Sequence, residues 1–182
     1  TTAAKNIFKC VTKAELEVVD LILEPIASAE AVLSEEEKEA GVVLVDIGGG
    51  TTDIAIFQEN IIRHTAVIPF GGDVITEDVK EGCSIIRKHA EELKVKFGSA
   101  LASENRDDEI VAIPGLRGRP PKEISLKNLA SIIQARMEEI IEHVYYEIKN
   151  SGYEKKLIAG IVLTGGGALL KHLPQLTEFI TG

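Results

Sequence analysis

The sequence predicts an α/β fold, and three observations carry that prediction. Val42-Val-Leu-Val45 is an apolar, β-branched run too short for a helix, and it leads through Asp46 and Ile47 into Gly48-Gly49-Gly50. Such a run reads as a buried strand, and consecutive glycines read as a turn. Ile54 and Ile56 resume the strand pattern, and Ile61 to Ile68 follows a turn at Gln58-Glu59-Asn60, so three neighbouring strands make a β-meander. Leu129, Ile132, Ile133, Met137, Ile140, Ile141, Val144 and Ile148 then form an unbroken stripe at helical period, opened by Ser125 and stopped by Ser151-Gly152.

The remaining elements fit around these. Thr1-Thr2 can cap a helix over residues 3–14 with Ile7, Phe8 and Val11 on one face. Val18 to Leu23 reads as a strand that Glu24-Pro25 breaks, and proline suits the first turn of the small-residue helix that follows to Leu33. Ser34 to Ala40 reads as a solvated helix end or loop. Asp73 is placed to cap a helix through Val74, Ile75 and Val79, and Ile85, Ile86, His89 and Leu93 give a second helix over residues 84–97. A polar connection, a short strand at Ile110 to Ile113 and a proline loop lead into the long helix. After it, Ala159 to Leu163 is a strand running into Thr164-Gly165-Gly166-Gly167, with a helix starting at Ala168-Leu169-Leu170 and Pro174 beyond.

Composition narrows the function. The 182 residues are 45% hydrophobic and 27% charged, an ordinary globular balance, and the net charge of -9 argues against general binding of nucleic acid through its phosphates. Cys10 and Cys83 match no metal-ligand spacing and read as reduced thiols. No apolar run approaches the roughly 18 residues of a membrane span, and the first residues do not read as a signal peptide, so a cytoplasmic protein is expected.

The glycine turn at 48–50 has a chemical reading beside the plain one of a hairpin tip. Bare backbone N–H groups can cup an anion, Thr51 and Thr52 add hydroxyls, and Asp46 can hold the hydrated Mg²⁺ that travels with a nucleotide phosphate. Gly71-Gly72, beside a helix start, is either a structural turn or a second anion or ribose contact. Glu91 and Lys94 are a surface ion pair or a pair of ribose ligands. The loop Gly115-Leu-Arg-Gly-Arg-Pro-Pro-Lys122 carries three positive charges and no acid, which suits a rigid surface loop or a dock for an acidic peptide. Neither a Walker-type phosphate loop nor a Gly-x-Gly-x-x-Gly turn between strand and helix is present in the sequence.

Asp46-Ile-Gly-Gly-Gly-Thr-Thr-Asp53 resembles the second phosphate loop of the actin, Hsp70 and sugar-kinase superfamily, Leu163-Thr-Gly-Gly-Gly-Ala168 its adenosine motif, and Glu24-Pro-Ile-Ala-Ser-Ala29 its inter-lobe connecting helix. Ala27 to Leu33, Arg63-His-Thr, Pro69-Phe-Gly-Gly-Asp73, Lys94 to Ala100 and Gly118-Arg-Pro-Pro-Lys122 are similar to the bacterial cell-division FtsA family over nearly the whole chain. The resemblance implies an actin-like (ribonuclease H-like) ATPase lobe: a mixed sheet with flanking helices and a smaller inserted α+β subdomain. Residues 1–24 would be the last helix and strand of a first lobe, 25–76 and 153–182 an incomplete subdomain IIA, and 77–152 subdomain IIB. The rest of the first lobe, the end of IIA and a C-terminal membrane-targeting helix would lie outside this stretch.

By the same resemblance, ATP and Mg²⁺ are the cofactors. Asp46 would hold Mg²⁺ through water, and Glu24 would orient the attacking water. Gly48, Gly49, Gly50, Thr51 and Thr52 would cup the β- and γ-phosphates. Gly72 would approach the sugar, Glu91 and Lys94 the ribose hydroxyls, and Gly165, Gly166 and Gly167 the adenosine. Arg119, Lys122 and Arg136 would receive the acidic tail of FtsZ. The implied protein is a polymer at the inner face of the cell membrane, at the division site, that anchors FtsZ, recruits later division proteins and is at most a slow ATPase. This stretch alone is expected to bind ATP weakly and hydrolyse almost none. A small-molecule kinase, or a rod-shape or pilus-assembly scaffold, is the alternative. Each of these readings requires Gly49 and Gly166 to face one shared hollow.

Overall fold

The computed structural model describes residues 2–115 and 120–182. Helix α1 (Thr2–Lys13) is followed by an extended stretch and by α2 (Glu24–Val32), with Pro25 in the first turn, where a missing N–H breaks no helical bond. The expected strand at 18–23 does not form: residues 16–23 are extended but pair with nothing in the sheet, and Val19 is 95% exposed. The β-branched pattern is right, yet a strand exists only when a neighbour takes its backbone bonds. Ser34 and Glu37 make a reciprocal capping box, Glu37 N–H to Ser34 Oγ at 3.2 Å and Ser34 N–H to the Glu37 carboxylate at 2.7 Å, so the stretch expected as a helix end or loop is a short helix of its own, α3 (Glu35–Ala40).

Strands β1 (Val42–Ile47), β2 (Thr52–Gln58) and β3 (Ile61–Ile68) follow as the expected meander, and Glu59 and Asn60 take the left-handed conformation that tight hairpins favour. Gly71 begins α4 (Gly72–Gly82) in place of an Asp73 side-chain cap. The next helix, α5, spans Arg87–Phe97 and not 84–97, because Ser84 turns left-handed (φ 48°) and Ile85 and Ile86 lie in the turn before it. The proline loop joins a hairpin of β4 (Ile110–Ile113) and β5 (Lys122–Ser125); the second strand was hidden by its polar sequence. Ser125 caps α6 (Leu126–Ser151), and Gly152 closes it at φ 75°. After β6 (Ile161–Thr164), residues 166–169 form only one 3-10 turn. The last helix, α7 (Leu173–Thr181), starts later than expected, with Pro174 in its first turn.

The main sheet has the order β3-β2-β1-β6, antiparallel through the meander and parallel between β1 and β6, so it is mixed. Helices cover both faces, which is why β1 is apolar at nearly every position. Val43, Val45 and Ile47 point to the side of α4, α6 and α7, while Val42 and Leu44 pack with Ala29 and Leu33 of the α2 side. The first of these clusters runs on into Ile113, Ile124 and Leu129, so one core joins the sheet to the inserted α4–α6 region. Met137, at its middle, is fully buried. Met137→Ala is expected to lower the unfolding free energy by about 3 kcal/mol, read as a shift in urea midpoint with an unchanged slope. Among the described residues no helix is long and apolar enough to cross a membrane.

Candidate functional site

The hairpin between β1 and β2 closes on itself through Gly48 N–H to the Thr51 carbonyl at 2.9 Å, and it is clipped to the start of α4. Gly72 N–H donates to the Gly48 carbonyl at 2.9 Å and Asp73 N–H to the Gly49 carbonyl at 2.8 Å. Two of the free donors at the α4 N-terminus are thereby spent on protein. Gly71 is obligatory in this joint, since a Cβ there would strike the Gly48 carbonyl and lie 2.8 Å from that of Thr51.

Facing this tip across a cavity of about 380 Å³ is the second glycine turn. Gly48, Gly49, Gly72, Glu91, Lys94, Gly166 and Gly167 all line it, so the two glycine turns do share one hollow. Gly165 lies behind this lining, under Asp46. Gly50 and Thr51 stand exposed at the tip, outside the lining, with the Thr51 hydroxyl on Asp53 at 2.8 Å. The Thr52 hydroxyl, expected to donate to phosphate, is instead fully buried and donates to the Phe70 carbonyl at 3.0 Å. Strand alternation explains this: Thr52 is the first residue of β2, already paired with Ile47.

Lys94 acts as a strut between two helices. Its ammonium donates to the Gly72 carbonyl (2.8 Å) and Thr76 Oγ1 (2.7 Å) and sits 2.8 Å from Glu91 Oε2. That fixes α5 against the start of α4. Burial pushes the Glu91 carboxyl up, but hydrogen bonds from Lys94 and Thr76 outweigh it and hold the group below its ordinary range. Glu91 therefore stays ionised into mild acid, and its interactions are lost only as pH falls through that lowered value. Both contacts use Oε2, which leaves Oε1 to accept from a sugar hydroxyl.

Behind the tip, Ser28 of α2 bridges two acids, with its Oγ 2.6 Å from Glu24 Oε1 and 3.1 Å from Asp46 Oδ2. The Ser28 hydrogen bond works to lower the Glu24 pKa, yet partial burial and the neighbouring Asp46 carboxylate prevail and raise it. One hydroxyl proton cannot serve two carboxylates at once, which leaves lone pairs on Glu24 and Asp46 that a shared proton or a cation can take. Oxygen donors of this kind, few in number and beside open space, fit a Mg²⁺ ion that keeps most of its waters.

The sequence reading missed several lining residues. Asp73 overhangs Gly49, its Oδ2 3.6 Å from where a Cβ would stand. Val95 and Leu169 line the same cavity from α5 and from the second glycine turn, and they are 72% and 86% exposed. Large apolar side chains left bare in a cleft mark a place for a flat apolar group. Leu169 follows directly on a glycine turn and Val95 follows Lys94, but one sequence does not show which exposed leucine faces a cavity. Of the residues expected to hold an acidic peptide, Arg119 lies outside the described residues. Lys122 Nζ donates to the Cys83 carbonyl at 2.6 Å, and Arg136 makes a two-point contact with Asp78 at 2.6 and 3.2 Å.

The chain matches the family model described as Cell division protein FtsA over residues 43–182. It is 48% identical over 178 residues to the FtsA protein of Pseudomonas aeruginosa, covering 98% of this chain and 43% of that relative. It is 41% identical over 181 residues to the FtsA protein of Neisseria meningitidis, covering 99% of this chain and 44% of the relative. The chain thus spans less than half the length of these curated relatives. Among solved structures it is similar to MreB5 of Spiroplasma citri bound to ADP, with a TM-score of 0.80 and 25% identity over 98% of this chain and 57% of that one. The fold is therefore actin-like.

Proposed function

The chain belongs to the cell division protein FtsA family, and from that premise we propose that it supplies one side of an ATP site and a docking subdomain for FtsZ. The observation that carries the first part is the single cavity between the two glycine turns, with Glu91 on its wall and Asp46 and Glu24 behind its tip. Its bare backbone suits phosphates at Gly48 and Gly49, with Gly50 at the tip beside them, the free Glu91 oxygen suits a ribose hydroxyl, and the gap between Val95 and Leu169 suits adenine. Mg²⁺, when bound, would offset the phosphate charge. Asp46 would hold its water shell, and Glu24 would orient a water beside it.

In the whole protein this lobe would help assemble an ATP-dependent polymer at the inner face of the membrane, at the division site. Residues 77–152 would meet the acidic tail of FtsZ, and later division proteins would join the polymer. The whole protein would be at most a slow ATPase, and this chain alone would hydrolyse almost none. A kinase of the same superfamily is the weaker reading, because the family match is to a division protein.

Calorimetric titration of the chain with ATP tests the site. Weak binding that strengthens with Mg²⁺ is expected, and Asp46→Asn should abolish the Mg²⁺ dependence while leaving the fold intact. Binding indifferent to Mg²⁺, or equal in the variant, would remove Asp46 from this role, and no binding at all would remove the site.

A further inference from the structure

The crossing of α4 and α6 has an order of charge that the fold alone does not require. Asp78 and Gly82 lie one turn apart on one face of α4, and Ile132 and Arg136 lie one turn apart on the facing side of α6. Asp78 meets Arg136, and Gly82 meets Ile132, whose Cδ1 would be 2.7 Å from any Cβ at Gly82. Just past Gly82, the Lys122 ammonium sits on the Cys83 carbonyl. The result is a ridge of cation, isoleucine, cation. Lys122 makes no ion pair among the described residues. Arg136 has the reverse excess, because Asp78 holds it at two points and Glu139, 47% exposed, also pairs with it.

A structural arginine needs one carboxylate. Here Asp78 alone makes the two-point fork by which a guanidinium takes an acid, and Glu139, partly open to solvent, adds a second carboxylate. We propose that Asp78 and Glu139 stand in at Arg136 for the carboxylates of an acidic, partly apolar peptide, so that docking on this ridge is an exchange of acids. This rests on the reading above that the subdomain receives such a tail. An incoming peptide places one acid at Lys122 without competition, lays an apolar side chain over Ile132, and must displace Asp78 to reach Arg136. Partly exposed ion pairs contribute little, so the displacement is permitted, but it sets the affinity.

The test is fluorescence anisotropy of a labelled FtsZ tail peptide on this chain and its variants. Asp78→Asn is expected to tighten binding about fivefold, and Glu139→Gln about twofold, as their hold on Arg136 is released. Arg136→Gln should abolish binding in every background. If Arg136→Gln leaves binding unchanged, the docking reading itself falls. If Arg136→Gln abolishes binding while neither acid variant tightens it, docking survives and the stand-in role is overturned. Should Asp78→Asn lose its fold, Glu139→Gln decides alone, since Glu139 is on the exposed side of α6 and bridges no second element.

Discussion

Replacing Gly165 with alanine is expected to lower the unfolding free energy by about 3 kcal/mol and to remove Mg²⁺-dependent nucleotide binding with it. Gly165 has φ +82°, a conformation that costs an L-residue about 1–2 kcal/mol. An added Cβ would also run into Asp46 Oδ1 and lie 2.7 Å from the Ile47 carbonyl. Neither neighbour steps aside easily, because Asp46 is paired on both sides, with Asp53 and Thr164, and the Ile47 carbonyl belongs to a backbone paired with Thr52. Forced overpacking of that kind adds a further cost of about 1–3 kcal/mol. Gly152 supplies a comparison: its φ is positive too, at +75°, with ψ 6° against 175° at Gly165, and a Cβ there meets nothing within 4 Å. Gly152→Ala should therefore show the backbone cost alone, about 1 kcal/mol. Urea denaturation of the two variants separates the terms, and equal losses would mean that Gly165 does not press on the acid it is placed beneath.

How far the sequence told this in advance depends on what each element needs. The meander was legible because β1 is apolar on both faces and its turns carry their own signals at Gly48-Gly49-Gly50 and Glu59-Asn60. Helix α6 was legible because eight apolar residues keep one period over its length. Residues 18–23 have equally good strand chemistry and still fail, since pairing is a property of two segments and local preference belongs to one. Strand β5 went unread for the opposite reason: Lys122-Glu-Ile-Ser125 has little strand preference and is held by its register with β4.

The site divides in the same way. The glycine turns and Asp46 beside the first of them could be read from their spacing, whereas Glu91 read equally well as half of a surface ion pair, and its place on the cavity wall needed the fold. The Thr52 hydroxyl could not, because its direction is set by the pairing with Ile47. Nor could Lys94's engagement with Gly72 and Thr76, which lie 22 and 18 residues away. Ser28 was legible as a small packing residue, while its position between Glu24 and Asp46 needed the close approach of α2 to the end of β1. Arg136 falls outside the apolar stripe of α6, and the acid that holds it, Asp78, is 58 residues away.

Gly166→Ala should do the opposite of Gly165→Ala, leaving stability within about 0.5 kcal/mol while weakening ATP by about 5- to 150-fold. A Cβ at Gly166 meets no protein atom within 4 Å, and its φ is not in the left-handed region, so the folded chain accommodates alanine freely. The methyl group would stand in the cavity whose other wall is Gly49, Gly72 and Val95. If a base or sugar rests against that turn, the methyl occupies its space, and misfit on this scale costs about 1–3 kcal/mol of binding. Val95→Ala trims the facing wall without intruding and should weaken binding less. Competition titration with ATP, alongside urea melts, reads both effects. Unchanged affinity in a stably folded Gly166→Ala protein would put the nucleotide elsewhere, because a ligand lying on that bare backbone must feel the added carbon.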